Sequence, residues 1–182
     1  ELILEKRRVL GVDVLYVHWL TLRNPRAQFS ERRPRLPGQD VPGLGLAREA
    51  GSMLARMAVR LGLGGVVIRP AHYHMAYAAR HEFAFMDPAR QGRFEALVRD
   101  LTGLTLLEAT TALDEGRVLM NGEAYAWEAD EMAYWLREPA AEPREVDRER
   151  ERVHFTVVPR MPAVLPGADS TRPQPPGAAR GL

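Results

Sequence analysis

The sequence predicts a single α/β domain, and three stretches carry that prediction. Residues 9–22 are rich in β-branched and aromatic side chains with few charges, the composition of a strand. Residues 43–61 repeat apolar side chains at helical spacing between glycine-rich ends. Val66-Val67-Ile68 is a short apolar run closed by Pro70, as a buried strand would be. Strand, glycine turn, helix and strand in this order make a βαβ-like unit.

Taken in order, residues 9–22 read as one long strand or a kinked pair, ended by Asn24-Pro25. Residues 23–42 hold four prolines and five arginines with no period, which reads as a long ordered loop of the kind that is usually functional or mobile. In the helix of residues 43–61, Leu46, Ala50, Met53, Leu54, Met57, Ala58 and Leu61 share one face. Arg48, Glu49, Ser52, Arg56 and Arg60 lie opposite, and Gly62, Gly64 and Gly65 supply the stop.

A short helix is expected over residues 72–80 and a strand over 83–86, where Phe83 and Phe85 alternate. Asp87-Pro88 starts the next helix, with Asp as N-cap and Pro at the first helical position, and Phe94, Leu97, Val98 and Leu101 form its stripe. Thr105 and Glu108 form a capping box for a helix that ends at Gly116. Asn121-Gly122 joins residues 117–120 and 123–127 as a hairpin with a type I′ turn. Residues 128–137 are read as one more helix. The α/β domain thus spans 1–137. Residues 138–158 read as a charged linker with an edge strand at 153–158, and 159–182 as a Pro/Gly-rich disordered tail or one ordered by a partner.

Composition narrows the function classes. A chain of 182 residues fits one domain, and 46% hydrophobic content supports a real core. The net charge of +1 offers no electrostatic reason to invoke nucleic acid. Cysteine is absent, which excludes disulfides and thiolate metal sites. Lys6 is the only lysine, a replacement by arginine that fits coding bias. No apolar run reaches the roughly 20 residues that span a bilayer, so no membrane is invoked. Residues 1–8 carry no signal-peptide pattern, and a cytoplasmic location is expected.

Several residues could carry chemistry. Glycines at the start of the 43–61 helix let backbone amides approach a phosphate, although glycines there also serve plain turns. No lysine follows to make a P-loop, and Arg48 stands where a dinucleotide fingerprint needs its third glycine. His72-Tyr73-His74 places two imidazoles at i and i+2, near His81, Glu82 and Asp87. These could share a metal or form an aromatic pocket wall, and no metal set is assigned. Arg23, Arg26, Arg32, Arg33 and Arg35 could fork onto phosphates or pair with carboxylates in a solvated loop. Asp13 is a candidate general base or an outward strand residue, and Trp19, Trp127 and Trp135 are core or interface residues. Ser30, Ser52 and Ser170 have no evident histidine base, so serine hydrolysis has no support.

Gly43-Leu44-Gly45 or Gly45-Leu46-Ala47 before the helix, Val66-Val67-Ile68 after it, and His74-Met-Ala-Tyr77 with Glu82-Phe83-Ala-Phe85 beyond resemble the GCN5-related N-acetyltransferase (GNAT) superfamily over residues 12–86. The pattern departs where Asp40 or Pro42 replaces the expected Gln or Arg, where residues 23–42 are interposed, and at Glu82 in place of a glycine. The resemblance implies a mixed central sheet flanked by helices, with a core over about residues 9–101. It implies acetyl-CoA or another acyl-CoA, its pyrophosphate held by Gly43, Leu44, Gly45, Leu46 and Ala47 and a phosphate by Arg35. Tyr73, His74 and Tyr77 would lie near the thioester, a phenol protonating the leaving thiolate and the imidazole taking a proton from a small-molecule or peptide amine. Two other readings stand beside it: a non-catalytic interaction module docking through residues 23–42 or the C-terminal tail, and a metal-dependent hydrolase built on His72 and His74.

Overall fold

The charged first residues pair with the apolar run that follows them. β1 (Leu2–Val9) and β2 (Val12–Leu20) form an antiparallel hairpin, turned by Leu10 and Gly11 at φ 47° and 78°. Two left-handed residues match the twist of the flanking strands, as in a type I′ turn. The strand expected at 9–22 is therefore the second arm of a hairpin. Its partner was hidden because β1 is an edge strand, where Glu5, Lys6, Arg7 and Arg8 tolerate solvent and deter pairing with other chains. A computed structural model describes residues 1–137 and 143–160, without the side chains of 143 and 144. Most of the tail expected at 159–182 lies outside the described residues.

α1 (Ala47–Arg60) carries the chain from β2 to β3 (Gly65–Ile68), which lies parallel to β2 in the register Leu15↔Val66, Tyr16↔Val67 and Val17↔Ile68. Then follow α2 (Tyr73–Ala79), β4 (Ala84–Phe85), α3 (Pro88–Asp100) and α4 (Leu106–Asp114). Asp87 accepts from the Ala89 amide at 2.9 Å and caps α3, and the Thr105–Glu108 capping box is formed at α4. Asn121 and Gly122, at φ 52° and 89°, turn β5 (Val118–Met120) into β6 (Glu123–Ala124).

The helix expected over 128–137 is instead a strand, β7 (Met132–Trp135), inserted between β3 and β4. Met132 and Ala133 are buried, and the strand's backbone is paired antiparallel on both sides. That tertiary pairing overrides a helical preference that no capping residue reinforced. In the charged run, residues 143–152 are helical, α5 (Pro143–Arg152), and β8 (Phe155–Val157) pairs with β5. The result is a mixed five-stranded sheet, β1-β2-β3-β7-β4, beside a three-stranded sheet, β6-β5-β8.

Alternation along β2 splits the core between the two faces of the main sheet. Leu15 and Val17 join Leu54, Tyr73, Phe94, Leu97, Met132 and Phe155 in the larger cluster, to which α1, α2, α3 and α4 each contribute buried residues. Val14 and Tyr16 join Val67 and Ala133 in a smaller one. The apolar face of α1 is narrower than its periodicity implied. Ala50, Leu54 and Ala58 are buried, whereas Leu46, Met53 and Leu61 are 45%, 45% and 62% exposed. The helix also begins four residues late, because Gly43 bridges Arg23, the Leu44 amide donates to the Leu22 carbonyl, and Gly45 adopts φ 75°. Among the described residues no helix is long and apolar enough to cross a membrane.

Candidate binding site at the carboxyl end of the parallel strands

Because β2 and β3 are parallel and α1 crosses between them, the carboxyl ends of both strands share one end of the sheet with the start of α1. In open α/β sheets this is where ligands bind. Pairing of the two strands stops at Val17↔Ile68, while β2 continues to Leu20 against β1. Because β3 ends at Ile68, β2 beyond Val17 has no strand partner on that side among the described residues.

The arginine- and proline-rich loop closes over this end. Its two ends are joined where the Asn24 amide donates to the Pro42 carbonyl at 2.8 Å and the Leu44 amide to the Leu22 carbonyl at 3.0 Å. Between them the chain makes an excursion of the Ω type. Pro37 and Gly38 occupy the centre of a turn in which the Gln39 amide donates to the Leu36 carbonyl, Gly38 having φ 76°. Proline followed by a left-handed glycine is the type II pattern. Gly38 lies against His72, and a Cβ at that glycine would overlap the imidazole. The loop thereby reaches the start of α2.

Arg35, expected to meet a phosphate, is engaged within this loop. Its Nε donates to the Gln39 carbonyl at 2.6 Å, and its guanidinium lies 3.6 Å from Asp40. Gly43, Leu44, Gly45 and Leu46 lead into α1, and Ala47 is its first residue, so the expected phosphate turn does stand at a helix N-terminus. No side chain caps that end.

Tyr73, His74 and Tyr77 come together on α2. The His72 and His74 rings stack, with centroids 5.4 Å apart and planes at 16°, an arrangement that holds the rings parallel rather than aiming both nitrogens at one ion. Among the described residues no three His, Cys, Asp or Glu side chains converge to hold a metal. His74 is buried and its Nδ1 has no partner. Burial, with His72 beside it, lowers the imidazole pKa to about 4, so the ring is neutral at pH 7 and a weak proton acceptor. Tyr73 is also buried, and desolvation raises its phenol well above the usual range. Tyr77 is half-buried, 5.8 Å from the Tyr73 ring and stacked under the Arg80 guanidinium at 3.6 Å. Asp13 points outward and pairs with Lys6 at 3.0 Å.

A second feature of α2 was not legible in the sequence. His72 and Tyr73 line a cleft of about 300 Å³ together with Thr110, Asp114 and Trp127. These residues come from segments far apart in the chain, and no local motif links them. Compared with family models, curated proteins and solved structures, the chain matches none.

Proposed function

We propose that the chain is a divergent GNAT-like domain that binds acyl-CoA and transfers the acyl group to a small-molecule or peptide amine. The observation that supports this reading most is that β3 ends at Ile68, opposite Val17, while β2 runs on to Leu20, with the glycine turn and the start of α1 at the same end of the sheet. Gly45, left-handed with nothing within 4 Å of a Cβ position, leaves backbone open on that turn. The amides of Gly45, Leu46 and Ala47 and the positive end of the α1 dipole suit a pyrophosphate. The bound thioester supplies an activated acyl carbon. The amine nitrogen bonds to that carbon and loses a proton to solvent, the carbon–sulfur bond breaks, and the thiolate takes a proton from a phenol that solvent then reprotonates. Positioning carries most of the rate in such a transfer. Tyr77, the less buried of the two phenols, is the proton donor in this reading, since burial opposes ionisation of Tyr73. A cytoplasmic location, where acyl-CoA is available, goes with this reading.

The expected result is a rise in melting temperature with acetyl-CoA and with CoA, because a ligand that binds only the folded chain stabilises it by about 2.7 kcal/mol at a hundred times its Kd. No rise at millimolar acetyl-CoA overturns the proposal. That silence would favour a non-catalytic interaction module, a reading supported by Leu44, Leu46, Met53 and Leu61, which are 43%, 45%, 45% and 62% exposed in and on either side of α1.

A further inference from the structure

The cleft between α2, α4 and the segment at Trp127 contains an unresolved polar balance. Thr110 lines it and is 2% exposed, yet its hydroxyl has no hydrogen-bond partner among the described residues. The indole N–H of Trp127, another lining residue, is likewise buried and has no partner among the described residues. Buried donors without acceptors are rare in folded chains and cost free energy that a bound acceptor would recover.

The charge around these donors has a direction. Arg90 is 5% exposed, and its guanidinium lies 5.0 Å from the Trp127 ring centroid. It donates to the Tyr125 hydroxyl at 3.0 Å and to the Glu128 carbonyl, but its Nε has no partner and no carboxylate pairs with it among the described residues. A buried cation without a counter-charge makes that side of the cleft electropositive. Asp114, one turn beyond Thr110 on the same face of α4, also lines the cleft. It is solvent-exposed, closes the last turn of α4, and forms no ion pair among the described residues. A carboxylate at a helix C-terminus adds to the negative end of the dipole, so a cation is favoured there. A volume of about 300 Å³ is at the lower end for small-molecule sites.

We propose that this cleft binds a small zwitterion, a free amino acid, with its carboxylate against Thr110 and Trp127 and its ammonium at Asp114. The Tyr73 ring, 5.7 Å from that of Trp127 and nearly perpendicular to it, forms part of the apolar wall for the side chain. The site does not depend on acyl-CoA binding.

Isothermal titration of the full chain with each of the twenty free amino acids tests it, alongside matched fragments. For leucine these are isoamylamine and 4-methylpentanoate, and for phenylalanine they are phenethylamine and 3-phenylpropanoate. At least one amino acid should bind with a Kd below about 1 mM, and its amine and its acid should each bind about tenfold more weakly or worse. Thr110→Val keeps the side-chain shape and removes an unpartnered hydroxyl, so the free protein should melt no lower while affinity falls about tenfold. Asp114→Asn, at an exposed position where the charge opposes the helix dipole, should lower affinity similarly while the protein melts no lower, which keeps the test decisive even if Thr110→Val misfolds. No binding by any amino acid at about 10 mM overturns the proposal. So does an amine or an acid that binds as well as its amino acid, or unchanged affinity in the folded variants.

Discussion

Gly38 and Gly45 have nearly the same backbone, φ 76° and 75°, and opposite surroundings. Nothing lies within 4 Å of a Cβ built on Gly45, whereas one built on Gly38 overlaps the His72 ring. Gly45→Ala should therefore cost only the left-handed backbone penalty, about 1 kcal/mol. Gly38→Ala must also displace the imidazole or the loop, and should cost about 2–4 kcal/mol in denaturant unfolding. Equal losses would contradict the packing of the loop on α2. His74 makes a second prediction at this scale. Its folded pKa of about 4 lies below the ordinary value of 6.5. The unfolded chain thus binds the proton more readily, and folding is favoured while the ring is neutral. This contribution is fully present above pH 6.5 and is lost as pH falls through about 4, by up to about 3 kcal/mol. A stability–pH profile of His74→Gln should be flatter than wild type between those limits, and parallel profiles would contradict it.

At the scale of elements, the packing of α5 on α3 turns on Gly92. A Cβ there would lie 2.5 Å from the Val146 carbonyl oxygen and 2.8 Å from the Glu149 Cβ. The close approach is flanked by Arg93 and Glu149 at 3.3 Å and by Arg150 and Glu95 at 2.9 Å. In an isolated helix Gly→Ala gains about 1 kcal/mol, but here overpacking should reverse the sign and leave a net loss of about 1–3 kcal/mol. Limited proteolysis should then cut first near α5. A stabilised Gly92→Ala variant would refute the close contact. Elements whose signals are local were legible: the Asp87 and Thr105 caps, the Asn121-Gly122 turn and the apolar run of β3 each specify structure within a few residues. β1, β7 and α5 were not. The charges of β1 suit an edge, the four residues of β7 become a strand only between β3 and β4, and α5 has no apolar stripe. Leu46, Met53 and Leu61 of the α1 stripe are exposed for a related reason, since periodicity shows which residues share a face but not how wide a strip the sheet covers.

At the scale of the molecule, the βαβ unit read from three stretches is present, and it brings the glycine turn, the long loop and the start of α2 to one end of the main sheet. The cluster His72-Tyr73-His74 was visible as a motif, but its burial was not, because that depends on α4, Trp127 and the loop at Gly38. Burial is also what turns two expected catalytic groups into weak ones, leaving positioning and the α1 amides to carry the proposed transfer. Ala47 isolates that claim. It is exposed and first in α1, where an aspartate complements the helix dipole by a few tenths of a kcal/mol yet repels a pyrophosphate. Titration of acetyl-CoA into wild type and Ala47→Asp, with melting temperatures recorded in parallel, is the most direct test. Wild type should bind saturably, and the variant should bind at least about tenfold more weakly while melting no lower. Absent binding to wild type, or equal affinity in both, would contradict the claim.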